Sequence, residues 1–214
     1  MTNISQKIAE NLLQINAIKL NPQNPFIWAS GIKSPIYCDN RITLSYPEIR
    51  TFIKESFAKL SADLDFDIIV GVATAGIPHG ALLADYLNLP FAYVRSSHKA
   101  HGRKNQIEGE IKSGQKALVI EDLISTGGSS IKGCKVLQEN KVEIARVMAI
   151  FNYGFEKAVN NFNSAGISFI TLSNYETLLE IALATGFISQ EDKSLLDSWN
   201  KDPDLWYDNQ MNKK

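Results

Sequence analysis

Ala117-Leu118-Val119-Ile120-Glu121-Asp122-Leu123-Ile124-Ser125-Thr126-Gly127-Gly128-Ser129-Ser130 is the stretch from which the fold is read. Its first four residues are apolar and partly β-branched, which predicts a short buried strand. Two adjacent carboxylates stand where that strand is expected to leave the sheet. Hydroxyls and glycines follow, and from Ser130 the spacing of Ile131, Cys134, Val136 and Leu137 predicts a helix. Glycines at 127 and 128 permit a tight turn whose N–H groups converge on an anion at the helix N-terminus. The hydroxyls of Ser125, Thr126, Ser129 and Ser130 add further donors. The pattern predicts a phosphate cradle. No lysine follows the glycines, so it is not a Walker loop, and Gly-x-Gly-x-x-Gly is absent. Glu121 and Asp122 are instead set to meet the vicinal hydroxyls of a sugar whose phosphate lies in the loop. An acidic strand end before an ordinary glycine turn accounts for Asp122 or Gly128 singly, but not for the ordered set.

On both sides of this stretch the periodicity predicts strands and helices in alternation. Ile4, Ile8, Leu12 and Ile15 recur at helical spacing, and Asn21 to Pro25 is expected to end that helix. Phe26 to Trp28 and Ile36 to Cys38 read as a hairpin, a small hood ahead of the main domain, with Lys33 in its turn. Ser45-Tyr46-Pro47-Glu48 has the form of a capping box with proline in the first turn. The helix it opens is expected to bury Ile49, Phe52, Ile53, Phe57 and Leu60. Further strands are predicted at 67–73, 91–94, 117–120, 144–151 and 167–172, with helical stretches between most of them. A doubly wound, mostly parallel α/β sheet follows, and ligands bind such sheets at the carboxyl ends of the strands. The tail carries two helical patterns, 175–185 and 190–199, separated by Gly186. Trp199 and Trp206 are expected to pack it onto the domain.

With 214 residues, 44% hydrophobic and 21% charged, the chain suits one substantial soluble domain. A formal charge of -1 argues against nucleic-acid binding by bulk electrostatics. Cys38 and Cys134 are the two cysteines, too few for a disulfide framework or a zinc spacing, and fit a reduced cytoplasm. No apolar stretch approaches the roughly 20 residues of a membrane span.

Between the strands at 91–94 and 117–120 lies a basic segment, Arg95-Ser96-Ser97-His98-Lys99-Ala100-His101-Gly102-Arg103-Lys104-Asn105-Gln106-Ile107-Glu108-Gly109. A long polar loop in a compact domain is usually functional or disordered. Beside a phosphate cradle it reads as a lid hinged near Gly102 and Gly109, bringing positive charge over an anionic leaving group. A solvated surface hairpin is the plainer alternative.

Trp28-Ala29-Ser30-Gly31-Ile32-Lys33-Ser34-Pro35-Ile36-Tyr37-Cys38-Asp39-Asn40-Arg41, then Tyr93-Val94-Arg95 leading into Lys99-Ala100-His101-Gly102, then Asn105 to Gly109 and Glu121 to Ser130, carry a resemblance over most of the chain. It is to the type I phosphoribosyltransferases, and among them to the branch acting on orotate. The resemblance implies that fold, with residues 1–45 as N-terminal helix and hood over the base site. Residues 46–214 would form, within one structural unit, the core that binds 5-phosphoribosyl-1-pyrophosphate (PRPP). It implies transfer of ribose 5-phosphate to orotate, with Mg²⁺ bound mainly through PRPP rather than by protein ligands. Arg95, Lys99 and His101 would contact pyrophosphate and, with Asp122, carry catalysis. Glu121 and Asp122 would hold the ribose hydroxyls, with Leu123 and Ile124 beside PRPP. Thr126, Gly127, Gly128 and Ser129 would take the 5′-phosphate. Ser125, Lys33, Tyr37 and Cys38 would face orotate. A cytoplasmic homodimer sharing the lid between subunits is implied as well, with neither nucleic acid nor membrane as partner. Ser96, Ala29 and Ala75 stand where many relatives carry lysine, leaving Arg103 and Lys104 as nearby cations to compensate. The cradle alone suits a transferase for a purine equally, and only the hood argues for orotate.

Overall fold

A computed structural model describes residues 3–27, 31, 33–95 and 106–211. Helix α1 (Ile4–Gln14) is capped by the Asn3 side chain, which accepts the Ser5 N–H, and it buries Ile8, Ala9, Leu12 and Leu13. It ends before the expected proline-rich stop. Asn16 takes a left-handed φ of 57°, and a short strand, β1 (Ile18–Leu20), follows. The predicted hairpin also pairs differently. β2 (Phe26–Ile27) pairs with β3 (Lys33–Ser34), while β4 (Ile36–Cys38) pairs with β1, Ile18 facing Cys38. Pro35 separates β3 from β4, having no N–H to continue a ladder, and its carbonyl accepts the Asn21 N–H at 2.8 Å. Trp28 lies outside the described residues.

A 3₁₀ helix (Asn40–Ser45) leads into α2 (Pro47–Leu60), whose N-cap is Tyr46 without a side-chain bond. The expected capping box is therefore absent, because Ser45 is consumed as the last residue of the 3₁₀ turn. Pro47 does occupy the first turn of α2, where its missing N–H is harmless. The body continues as β5 (Ile68–Val72), α3 (Gly76–Leu87), β6 (Phe91–Val94), β7 (Ile107–Glu108), β8 (Lys116–Ile124), α4 (Gly128–Glu139), β9 (Glu143–Asn152), α5 (Glu156–Ala165), β10 (Phe169–Asn174), α6 (Tyr175–Ala184), α7 (Gln190–Lys201) and α8 (Trp206–Met211).

Six strands join one sheet in the order β10-β9-β8-β5-β6-β7, parallel except for β7 at the edge. β8 alternates across it. Leu118 and Ile120 enter a core shared with α1, α2, α3, α6 and α7, whereas Ala117 and Val119 enter one shared with α4 and α5. Both faces are covered, as a doubly wound parallel sheet requires. Trp199 is fully buried against Tyr153, Phe155 and Tyr175, and Trp206 donates its indole N–H to Ser198 Oγ at 2.8 Å. The tail is thus fastened over the end of β9. Chain order reverses between β5 and β8, so the crevice for a ligand lies outside their carboxyl ends.

Candidate functional site

β8 does not stop at Ile120. On the β5 side its ladder ends with Gly71 facing Ile120, but on the β9 side pairing continues through Glu121–Ala149, Leu123–Phe151 and Ile124–Asn152. The two acids therefore sit inside the strand, unpaired along one edge only, and not beyond its end as expected. Glu121 turns toward α4, where its Oε2 accepts the hydroxyls of Ser129 and Ser130, each at 3.2 Å, and its Oε1 accepts the Asp122 N–H at 3.0 Å. Asp122 turns toward the segment after β4, and its carbonyl accepts the Asn40 side-chain amide at 2.8 Å.

Both carboxyls border a cavity of about 390 Å³, lined also by Cys38, Asp39, Arg41, Leu123, Ser129 and the loop Ala73–Ala75. Glu121 is 5% exposed. Burial holds it well above the usual carboxylate range, and the neighbouring Asp122 charge adds to that. Burial raises Asp122 as well. The Cys38 thiol is pushed up by burial and then by Asp122 and Asp39, which leaves it a neutral donor, 3.4 Å from Asn40 Oδ1. Asp39 instead is lowered, by its hydrogen bonds to the Arg41 guanidinium at 2.7 and 2.8 Å.

The loop after β8 needs glycine at 127. Its φ is +79°, and an added Cβ would lie 2.6 Å from Phe162 Cε2. Gly127 is also the N-cap of α4 and has no side chain to bond the first-turn N–H groups, an arrangement that suits an anion there. Ser129 and Ser130 were expected among the phosphate donors, but their hydroxyls are turned back onto Glu121. Ser125 and Thr126 border a second cavity of about 700 Å³ with Phe155, Lys157 and Lys201. Across the switch point, Gly76 brings α3 so close to β8 that a Cβ there would strike the Ile120 carbonyl.

Other predicted residues are more scattered. Arg95 follows β6, and its guanidinium lies 3.5 Å from Glu108 Oε1. The Lys33 ammonium stands 3.7 Å over the Tyr207 ring of α8. Tyr37 is 39% exposed and tilts against Phe26. Of the three hood residues assigned to orotate, Cys38 is the one that shares the cavity with Asp122. Ile124 is buried, and its carbonyl accepts the Tyr153 N–H at 3.2 Å. Lys99, His101, Ser96, Ala29, Arg103 and Lys104 lie outside the described residues, as do residues 96–105 of the lid; its far end is not loop but strand β7, in which buried Ile107 faces Val94. The Asp39–Arg41 pair and the buried Asn40 were not singled out from sequence, although both stand in the hood motif directly after β4.

Residues 40–164 match the model of the phosphoribosyl transferase domain. An orotate phosphoribosyltransferase of Phocaeicola vulgatus is 51% identical over 96% of this chain and 98% of its own length. One from Listeria monocytogenes is 49% identical over 95% and 99%. Among solved structures, orotate phosphoribosyltransferase from Aeropyrum pernix superposes with a TM-score of 0.74 at 27% identity, covering 85% of this chain and 99% of that one.

Proposed function

The chain belongs to the phosphoribosyl transferase family and within it to the orotate phosphoribosyltransferases, and from that premise we propose which residues carry its reaction. It transfers ribose 5-phosphate from PRPP to orotate, giving orotidine 5′-phosphate and pyrophosphate in pyrimidine synthesis. A bond forms from the orotate ring nitrogen to ribose C1 while the C1–oxygen bond to pyrophosphate breaks, and the proton that nitrogen carried is released to the departing pyrophosphate or to solvent. Positive charge develops on the sugar, and negative charge on the leaving group.

Asp122 holds the ribose hydroxyls and steadies the developing charge at C1. Thr126, Gly127, Gly128 and the first-turn N–H groups of α4 take the 5′-phosphate, and Ser129 supports them through Glu121. Leu123 and Ile124 shape the wall beside PRPP. The loop Ala73–Ala75 and Arg95 face the pyrophosphate side, and Lys99 and His101 reach it from the lid. Lys33, Tyr37, Cys38 and Ser125 meet orotate beneath a hood formed by the first 45 residues. The observation that carries this assignment is the cavity at the switch point, in which the acid pair, Cys38 and the Ala73–Ala75 loop converge.

The donor set fits a magnesium ion borne mainly by the substrate. Of the three acids lining the cavity, Asp39 is engaged by Arg41 and Glu121 by Ser129 and Ser130, so Asp122 alone would offer an oxygen, and phosphate oxygens and water would supply the rest of an octahedron. When bound, the ion neutralises charge on the departing pyrophosphate. No helix among the described residues is long and apolar enough to cross a membrane. Separately, we place the enzyme in the cytoplasm as a homodimer that shares its lid. Purified protein given PRPP, Mg²⁺ and orotate should consume orotate, and a chelator should stop it. Turnover of hypoxanthine or adenine in place of orotate would overturn the base assignment.

A further inference from the structure

A chain of buried polar side chains runs beneath the acid pair. Asn40, Thr43 and His79 are 0%, 0% and 2% exposed. The Asn40 amide donates to the Asp122 carbonyl at 2.8 Å, and its Oδ1 lies 3.4 Å from the Cys38 thiol. Thr43 Oγ1 donates to the Asn40 carbonyl at 2.6 Å and lies 3.4 Å from His79 Nε2. The threonine hydrogen is committed to Asn40, so its oxygen accepts from His79, which fixes the ring with hydrogen on Nε2. Burial lowers His79 to about 4, so this neutral form persists across physiological pH.

The location gives the contact a purpose. β5 supplies no partner to β8 beyond Ile120, and carbonyls two residues apart on a strand face the same edge. The Asp122 carbonyl thus emerges where the ladder has run out, and the Asn40 amide takes the place of the missing strand. A buried carbonyl needs such a partner, and its direction sets that of the adjacent side chain. We propose that Asn40 is a positioning residue for Asp122, braced by Thr43 and His79, so that the end of the hood and α3 jointly aim the ribose-binding acid. This rests on the role given above to Asp122 and extends it to residues that touch no substrate.

Three replacements test it by calorimetric titration of PRPP with Mg²⁺ in the absence of orotate, fitted per folded site. Asn40→Leu keeps the branched skeleton and removes the amide, and should weaken PRPP binding about tenfold and lower kcat by a similar factor. His79→Gln retains an N–H near the Nε2 position and should bind within about twofold of the parent, while His79→Leu follows Asn40→Leu in direction. If Asn40→Leu does not fold, Thr43→Val, which removes the brace and leaves the amide, carries the test with a smaller loss. Native PRPP affinity in folded Asn40→Leu or Thr43→Val would overturn the proposal, as would equal affinity of the two His79 variants. Asp122→Asn separates the premises. If it binds PRPP normally, the role of Asp122 fails; if it alone loses binding, the bracing chain fails.

Discussion

Replacing Glu121 by glutamine keeps the shape of a buried side chain and removes its charge. The carboxyl is 5% exposed and adjoins a second acid, and its three hydrogen-bond donors do not outweigh that burial. Its proton affinity rises from 4.5 to about 8. At about 1.4 kcal/mol per unit, this is a penalty of the order of 3–5 kcal/mol on the ionised form. Because the folded state binds this proton more tightly than the unfolded chain, the stabilisation is fully present below pH 4.5 and is lost as pH rises toward about 8. Glutamine does not titrate, so Glu121→Gln should flatten that decline. A domain of this size shifts by roughly 2–4 °C per kcal/mol. Between pH 5 and pH 8.5, without PRPP, the midpoint of the parent should therefore fall relative to Glu121→Gln by roughly 6–20 °C. Comparing the two proteins at each pH cancels the other titrating groups except Asp122, whose carboxyl bonds to that of Glu121. A midpoint difference that stays the same at both pH values would refute the assignment of a raised, proton-holding Glu121.

Gly127→Ala combines a left-handed backbone at φ +79° with a Cβ 2.6 Å from Phe162, a cost of roughly 2–5 kcal/mol. Thermal unfolding should drop by about 4–20 °C and PRPP affinity should fall with it; a neutral outcome in both would show that the loop needs no glycine there. Tyr207→Leu removes the ring under the Lys33 ammonium. If Lys33 serves orotate, the KM for orotate should rise by roughly two- to fivefold with that for PRPP unchanged, since an exposed cation–π contact is worth about 0.5–1 kcal/mol. Lys99→Ala and Asp122→Asn, each inactive alone, should regain roughly a quarter of parental activity after dissociation and joint reassembly. Random mixing makes about half the dimers mixed, each with one intact site. No recovery despite verified exchange would exclude a lid shared between subunits.

The sheet was legible because parallel strands buried on both faces leave unbroken apolar runs, as in Ile68 to Val72 and Ala117 to Ile120. The extension of β8 through two carboxylates was not legible, because nothing in Glu121-Asp122 favours a strand. The ladder is supplied by the length of β9, which reaches Asn152. The strand pairing within the first 45 residues was hidden for a related reason. Strands of two or three residues have little pattern of their own, and Pro35 decided which of them could pair. The cradle was visible as a set of residue types, but hydroxyl direction was not. Ser129 and Ser130 carry the right groups for a phosphate and spend them on Glu121, because α4 starts against the face to which that side chain turns.

That division resolves an electrostatic difficulty in the site. PRPP is a polyanion, and two adjacent carboxylates would repel it across a cavity of about 390 Å³. Were both acids charged and both turned to the sugar, the cradle would oppose its own ligand. Both acids border the cavity, but burial keeps a proton on Glu121 near neutral pH, and its oxygens are taken up by Ser129, Ser130 and the Asp122 N–H. An arriving phosphate strengthens that preference, since a nearby negative charge raises a carboxyl further. Glu121 can then fix the first turn of α4 through Ser129 and Ser130 without contributing a full charge, and Asp122 is left to meet the ribose. On this account Glu121→Gln retains PRPP affinity at pH 7 within a few-fold, because the parent already presents a neutral group there. Asp122→Asn loses affinity, because it removes the charge the reaction uses. Equal losses in the two variants would mean that both acids are ionised when PRPP binds.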